Sequence, residues 1–177
     1  MQVLKRYIGW MIIAGFLWAS LGCASSGLQT EDIYPDAMGF EIGEDAYVED
    51  TPDVREVIDI LYQYREALVA KDFGTLNRLV SEHYYHNAGN TSTTQDDYGQ
   101  DGLPEIYELM AEYVQQVQYH VVIKEVVVEG DRAHIDYEFE YAFQFEVADS
   151  EAWDAGVDVN RLEMYREGGH WRITDGM

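Results

Sequence analysis

From Ala133 to Val147 the chain alternates almost without a break: Ala133, Ile135, Tyr137, Phe139, Tyr141, Phe143, Phe145 and Val147 hold one parity, and His134, Asp136, Glu138, Glu140, Gln144 and Glu146 the other. Alternation over about fifteen residues commits this stretch to one long strand with a buried and a wet face, because successive side chains of an extended chain point to opposite sides. The stretch before it, Tyr119 to Val128, is rich in β-branched residues and joins it through Glu129-Gly130-Asp131-Arg132, a tight-turn signal. Together they predict a long hairpin with one aromatic face. Every other segment must help to bury that face.

A turn at Gly130-Asp131 sets Val128 opposite Ala133, and steps of two carry Val126, Lys124, Val122 and His120 to the side of Ile135, Tyr137, Phe139 and Tyr141. On this register His120 faces Tyr141 and Lys124 faces Tyr137. The other side gathers Glu125, His134, Asp136, Glu138 and Glu140 around Val121, Ile123 and Val127. Like charges at that density oppose a self-complementary dimer through the outer face, so a monomer is expected.

Helices are predicted before the hairpin. Thr51-Pro52-Asp53 supplies a capping hydroxyl, a first-turn proline and an acid at the positive end of the helix dipole. Val54, Val57, Ile58, Leu61, Tyr62, Arg65 and Leu68 then recur at helical spacing to about Ala70, and Asp72 opens a shorter helix with Phe73, Leu76, Leu79 and Val80 on its apolar stripe. Glu82-His83-Tyr84-Tyr85-His86 reads as a short strand, and residues 88 to 102 as a polar loop that includes the sequon Asn90-Thr91-Ser92. Asp101 and Pro104 start a third helix with Ile106, Leu109, Met110, Tyr113, Val114 and Val117 inward. After the central hairpin, residues 148 to 160 read as a second long loop carrying Trp153. A last hairpin, Arg161 to Arg166 with His170 to Thr174, turns at Glu167-Gly168-Gly169.

The amino end has the layout of an export signal over residues 1–22: Lys5 and Arg6, an apolar run from Tyr7 to Leu21, then Gly22 before Cys23, the only cysteine. The run is short of the roughly twenty residues that cross a bilayer. Residues 23–50 read as a flexible acidic tether on which Tyr34-Pro35 and Phe40 could dock as a short arm, and residues 51–177 as the folded domain. Asp and Glu number 34 against 11 Lys and Arg, a balance that repels phosphate backbones, so nucleic-acid binding is not expected. The 14 tyrosines give a core that tends to border a wet cavity, since each ring carries a hydroxyl needing a partner.

Gly22-Cys23 at the end of such a run resembles the bacterial lipoprotein box. That resemblance implies a diacylated Cys23 as mature amino terminus and, with Ala24 following, the periplasmic face of a Gram-negative outer membrane; an ordinary cleaved signal is the alternative. Residues 52 to 177 resemble the nuclear transport factor 2-like superfamily, shared with SnoaL-like cyclases, ketosteroid isomerase and scytalone dehydratase. The resemblance rests on Ala67-Leu68-Val69-Ala70-Lys71-Asp72-Phe73-Gly74-Thr75-Leu76, on Gly102 to Ile106, and on Gly169-His170-Trp171-Arg172-Ile173-Thr174-Asp175-Gly176. It implies a cone-shaped α+β fold, three amino-terminal helices on a strongly curved antiparallel sheet, and a conical pocket used by enzymes and binding modules alike.

The residues expected to line such a cone are Tyr62, Tyr84, His86, Tyr113, His120, Tyr137, Phe139 and Tyr141. His86, His120 and Tyr141 would carry proton transfer if the domain were an enzyme, although His86-Asn87 has no Asp where an isomerase-like relative keeps its base. His83 and His86, three apart, fall on opposite faces of a strand, so no metal site is expected there, and no cofactor. Asp175 reads as an acid at the pocket mouth. The leading expectation is a non-catalytic domain holding a small, partly apolar ligand or an envelope protein; a dehydratase, isomerase or cyclase is the first alternative and an acidic interaction module the second.

Overall fold

The computed structural model describes residues 27–34, 38–87, 97–147 and 150–177, without the side chains of Glu31 and Val147. The export segment, Cys23, the sequon and most of the polar loop after Asn87 lie outside the described residues. A five-stranded sheet in the order β1-β4-β5-β6-β7 packs on the helices; β1 (Phe40–Tyr47) runs parallel to β4 (Val114–Glu129), and β5 (Arg132–Val147), β6 (Ser150–Glu167) and β7 (His170–Asp175) follow antiparallel. A two-strand ladder, β2 (Tyr85–His86) with β3 (Tyr98–Gly99), closes one side. The α+β cone with helices on a mostly antiparallel sheet is the architecture expected.

The helix signals act as their chemistry requires. Thr51 Oγ1 accepts the Val54 amide at 3.2 Å to start α2 (Pro52–Ala70), and Lys71, in the left-handed region at φ 52°, stops it by donating to Ala67 and Leu68 carbonyls. Asp72 caps α3 (Phe73–Leu79) through the Thr75 amide at 3.0 Å. The helix predicted from Asp101 starts later: a 3₁₀ turn at Gln100–Gly102 precedes α4 (Leu103–Tyr113), and Gly102, not Asp101, is its cap. Its buried residues are Leu103 and Tyr107, while Leu109 and Tyr113 are exposed. The chain leaves the helix at Val114, so Val114 and Val117 belong to β4 and the inward stripe rotates towards Leu103.

The tether boundary is corrected. Residues before Thr51 include a helical turn, α1 (Thr30–Ile33), and β1, with Leu28, Phe40, Ile42 and Val48 buried in the core. Burying each such side chain contributes about 1.5–3 kcal/mol, which outweighs the acids scattered between them. Tyr34 bonds Asp59 at 2.6 Å and stacks on Tyr62 at 4.0 Å, the docked arm in atomic form. The predicted loop over residues 148 to 160 is likewise mostly strand: β6 pairs with β5 from Ser150 onwards, its acids alternating with Trp153, Ala155, Val157 and Val159.

The central hairpin turns at Gly130-Asp131 with Val128 opposite Ala133 and Val126 opposite Ile135, as read from the sequence. Beyond Ile135 the expected register fails. Ile123 faces Tyr137 and Glu125 faces Asp136, so Lys124 is an extra residue, a β-bulge that turns two consecutive side chains outward. From the bulge onwards every assignment on β4 reverses. Ile123, Val121 and Tyr119 point inward with Tyr137, Phe139 and Tyr141, whereas Lys124, Val122 and His120 point outward.

Candidate functional site

β5 lays its aromatic parity along the inner face as a ladder, Tyr137, Phe139, Tyr141, Phe143 and Phe145, with successive ring centroids 5.9, 5.9, 5.5 and 6.3 Å apart. Gly156 on β6 leaves room for it, since a Cβ there would stand 3.0 Å from the Tyr141 hydroxyl. At the Tyr137 end five elements bring tyrosines together: Tyr64 from α2, Tyr84 before β2, Tyr98 on β3, Tyr107 on α4 and Tyr119 on β4. Tyr64 belongs to the buried stripe of α2 with Val57, Leu61 and Leu68, while Tyr62, two residues earlier, turns away to the amino-terminal arm. Tyr107 is held by stacking on Phe73 at 5.1 Å.

The hydroxyls form two chains. Tyr119 links to Tyr64 and Tyr137, and the Asn160 side-chain amide donates to Tyr137 Oη at 3.0 Å and to the Gly176 carbonyl at 2.6 Å. The Tyr84 and Tyr98 hydroxyls donate to the Met177 carbonyl at 3.3 and 3.2 Å. The Tyr107 hydroxyl is buried with no partner among the described residues. Burial pushes the phenols of Tyr64, Tyr84 and Tyr119 well above the ordinary tyrosine range, raises that of Tyr137, and pushes that of Tyr107 up to about 12. These groups stay protonated at neutral pH and act as hydrogen-bond donors, not bases.

At the mouth His86 Nδ1 lies 2.8 Å from Asp175 Oδ1, which also accepts the Gly176 amide at 2.7 Å. The His86 ring stands 5.3 Å from that of Tyr98. A carboxylate on Nδ1 fixes the proton there and leaves Nε2 as the ring's acceptor. A dyad of this kind can accept and return a proton.

Of the residues expected to line the cone, Tyr84, Tyr137, Phe139 and Tyr141 do line the inner face and His86 stands at its mouth. Three do not. The bulge at Lys124 puts His120 on the outer face, 3.3 Å from Glu41, and sets Tyr119 in its place opposite Tyr141. Tyr62 packs under the arm, and Tyr113 is exposed at the end of α4. Tyr64, Tyr98, Tyr107, Tyr119 and Asn160 were missed. Tyr64 shares the i, i+3, i+7 spacing of Leu61, Leu68 and the α2 core stripe, a signal that was present in the sequence. On the outer face Glu125, His134 and Asp136 bring ligand atoms within 4.8 Å of one another. Arg161 already supplies the counter-charge there, bonding both Asp136 oxygens at 2.6 and 2.7 Å and lying in the field of Glu163 and Glu125.

No family model matches this sequence, and no curated protein matches it. Solved structures do. A ketosteroid isomerase-like protein from Erwinia carotovora atroseptica superposes with a TM-score of 0.58 at 17% identity, over 72% of this chain and 95% of that one. A conserved protein from Planctomyces limnophilus gives 0.57 at 15% identity over 70% and 92%. A candidate dehydratase from the nuclear transport factor 2-like family of Streptomyces avermitilis gives 0.57 at 16% identity over 70% and 93%. With the tyrosine-lined cone and the strand order above, these likenesses establish that the chain has the nuclear transport factor 2-like fold.

Proposed function

We propose that the domain is a binding module whose cone takes a small, partly apolar molecule carrying an oxygen or nitrogen acceptor. The observation that carries this reading is the Tyr107 hydroxyl, buried without a partner in a cluster whose other hydroxyls are paired. An unpaired buried hydroxyl costs about 1–3 kcal/mol, which a bound acceptor would recover. The half-buried ladder from Phe139 to Phe145 supplies the apolar wall. The layout at the amino end supports an envelope lipoprotein anchored through Cys23 at the periplasmic side of the outer membrane, and the acidic outer face supports a monomer.

Native mass spectrometry of the protein purified from its own cells tests this directly. A discrete extra mass is expected, lost on Tyr107→Phe. Compared with ligand-free wild type, the same variant should gain about 1 kcal/mol of stability, because it removes an unsatisfied hydroxyl without changing shape. A bare spectrum from the wild type, with no stability gain in the variant, refutes the reading. For the anchor, Cys23→Ser should abolish fatty-acid labelling, and labelling that persists would reject it.

A second reading is favoured by the His86 and Asp175 pair: proton transfer of the isomerase or dehydratase type, the classes named for two of the similar structures. Its catalytic group is His86, with Asp175 orienting it and the tyrosines donating hydrogen bonds to developing oxygen charge. His86→Ala then abolishes turnover while the bound mass is kept. If the same variant releases the ligand, His86 serves binding.

A further inference from the structure

β7 pairs only with Glu163 to Glu167 of β6, and Gly176 then closes over the Arg161 carbonyl. Among the described residues, the backbone of β6 from Glu151 to Val159 is therefore bonded on its β5 side alone. Two short bonds give the direction of its free groups. Asp158 Oδ1 takes the Val159 amide at 2.8 Å and Asn160 Oδ1 takes the Arg161 amide at 2.8 Å, so these amides point away from β5. Strand alternation turns the amides and carbonyls of Trp153, Ala155 and Val157 the same way, and no described residue bonds them.

The side chains of this edge are sorted by face. Trp153, Val157 and Val159 stand 50%, 65% and 71% exposed on the outer face, and a depression of about 710 Å³ lined by residues of both faces, among them Arg65, Tyr119, His120, Tyr141, Gly156 and Val157, reaches the strand. Asp154 and Asp158 lie on the other face, opposite Phe143 and Phe139. An open edge is a template for another strand, and acids on it select which strand can add. A second copy is opposed, because antiparallel pairing about Gly156 would set Asp154 directly against Asp158 of that copy, in a chain of net charge −23. A cationic segment is favoured by the same acids.

We propose that β6 from Trp153 to Val159 is a docking edge for an extended segment of a partner protein in which lysine or arginine alternates with apolar residues. Added as a strand beyond β6, such a segment makes main-chain bonds to the free amides and carbonyls. Its basic side chains meet Asp154 and Asp158 on one face, and its apolar ones cover Trp153, Val157 and Val159 on the other. The edge borders the cone, since Asp154 and Asp158 share the inner face with Phe143 and Phe139, but the main-chain groups it offers are ones the tyrosine cluster does not use.

The test is fluorescence anisotropy of a labelled peptide of alternating lysine and valine, titrated with the full chain. Saturable binding that weakens with salt is expected. Val157→Pro removes one outward amide at a position where an edge strand tolerates proline, and should weaken binding about tenfold with the melting temperature nearly unchanged. Should that variant fail to fold, the exposed pair Asp154→Lys and Asp158→Lys decides instead: it should transfer binding to a peptide alternating glutamate and valine. The proposal is overturned if a peptide of the same composition with its lysines and valines in two blocks binds equally well, or if the charge-reversed chain still prefers lysine. A dimer in native mass spectra that Val157→Pro dissolves would overturn it too, by giving the edge to a second copy.

Discussion

His86 Nδ1 and Asp175 Oδ1, 2.8 Å apart, join a two-residue strand to the end of the last strand across 89 positions of sequence. The carboxylate can only accept, so the ring carries its proton on Nδ1. Imidazole nitrogen shifts in a ¹⁵N-labelled sample should report that tautomer in the neutral ring, and Asp175→Asn should shift the ring towards a mixture of the two. An Nε2–H tautomer in the wild type would mean that the pair is not formed in solution.

Val121 and Val122 distinguish the bulged register from a regular one. Val121 is fully buried opposite Phe139, and Val122 faces outward opposite Glu138. Val121→Lys is expected to lose more than about 3 kcal/mol in urea unfolding, and Val122→Lys to stay within about 0.5 kcal/mol. A regular ladder predicts the opposite order, so a single pair of denaturation curves separates them.

Leu28 and Tyr34 test whether the amino-terminal arm belongs to the folded unit. Leu28 is 1% exposed, and Leu28→Ala should cost about 2–4 kcal/mol through the cavity it leaves. Tyr34→Phe removes the bond to Asp59 and should cost about 1 kcal/mol. Two variants with wild-type melting temperatures would return this segment to the status of a tether.

Alkaline pH should unfold the protein through its tyrosines. Burial raises the phenols of Tyr64, Tyr84, Tyr107 and Tyr119, so above about pH 10 the unfolded chain releases protons that the folded chain keeps. Their stabilising effect is complete below about pH 10 and falls as the pH rises, by about 1.4 kcal/mol per unit for each group. Tyrosinate absorbance and far-ultraviolet circular dichroism recorded together check this. The buried phenols should ionise only as the fold is lost, and their ionisation in an intact fold would contradict the clustering.

Much of this fold could be read directly from the chain. The alternation of β5, the Gly130-Asp131 turn and the caps at Thr51 and Asp72 each act through neighbouring residues, and each appears where expected. What was hidden depends on distant partners. Lys124 carries no local mark of a bulge, yet its insertion decides that Tyr119 and not His120 enters the cone. Glu151 to Asn160 carries no buried stripe to mark it, eight of its ten residues being exposed on an edge, and it becomes strand only by pairing with β5. The dyad escaped for the same reason, since nothing near His86 announces Asp175. Tyr64 is a different case: its helical phase with Leu61 and Leu68 is legible in the sequence.

Trp171 is sealed in the core, 2% exposed, with the Arg166 guanidinium 4.4 Å above its ring, whereas Trp153 stands half in water on the open edge. The two indoles therefore emit from different surroundings, one blue-shifted and shielded from quenchers, the other red-shifted and open to them. In protein trimmed to residues 24–177, which leaves out Trp10 and Trp18, a Trp153→Phe chain would report the state of the core alone and a Trp171→Phe chain events at the β6 edge, so the folded part carries its own pair of optical probes without any label.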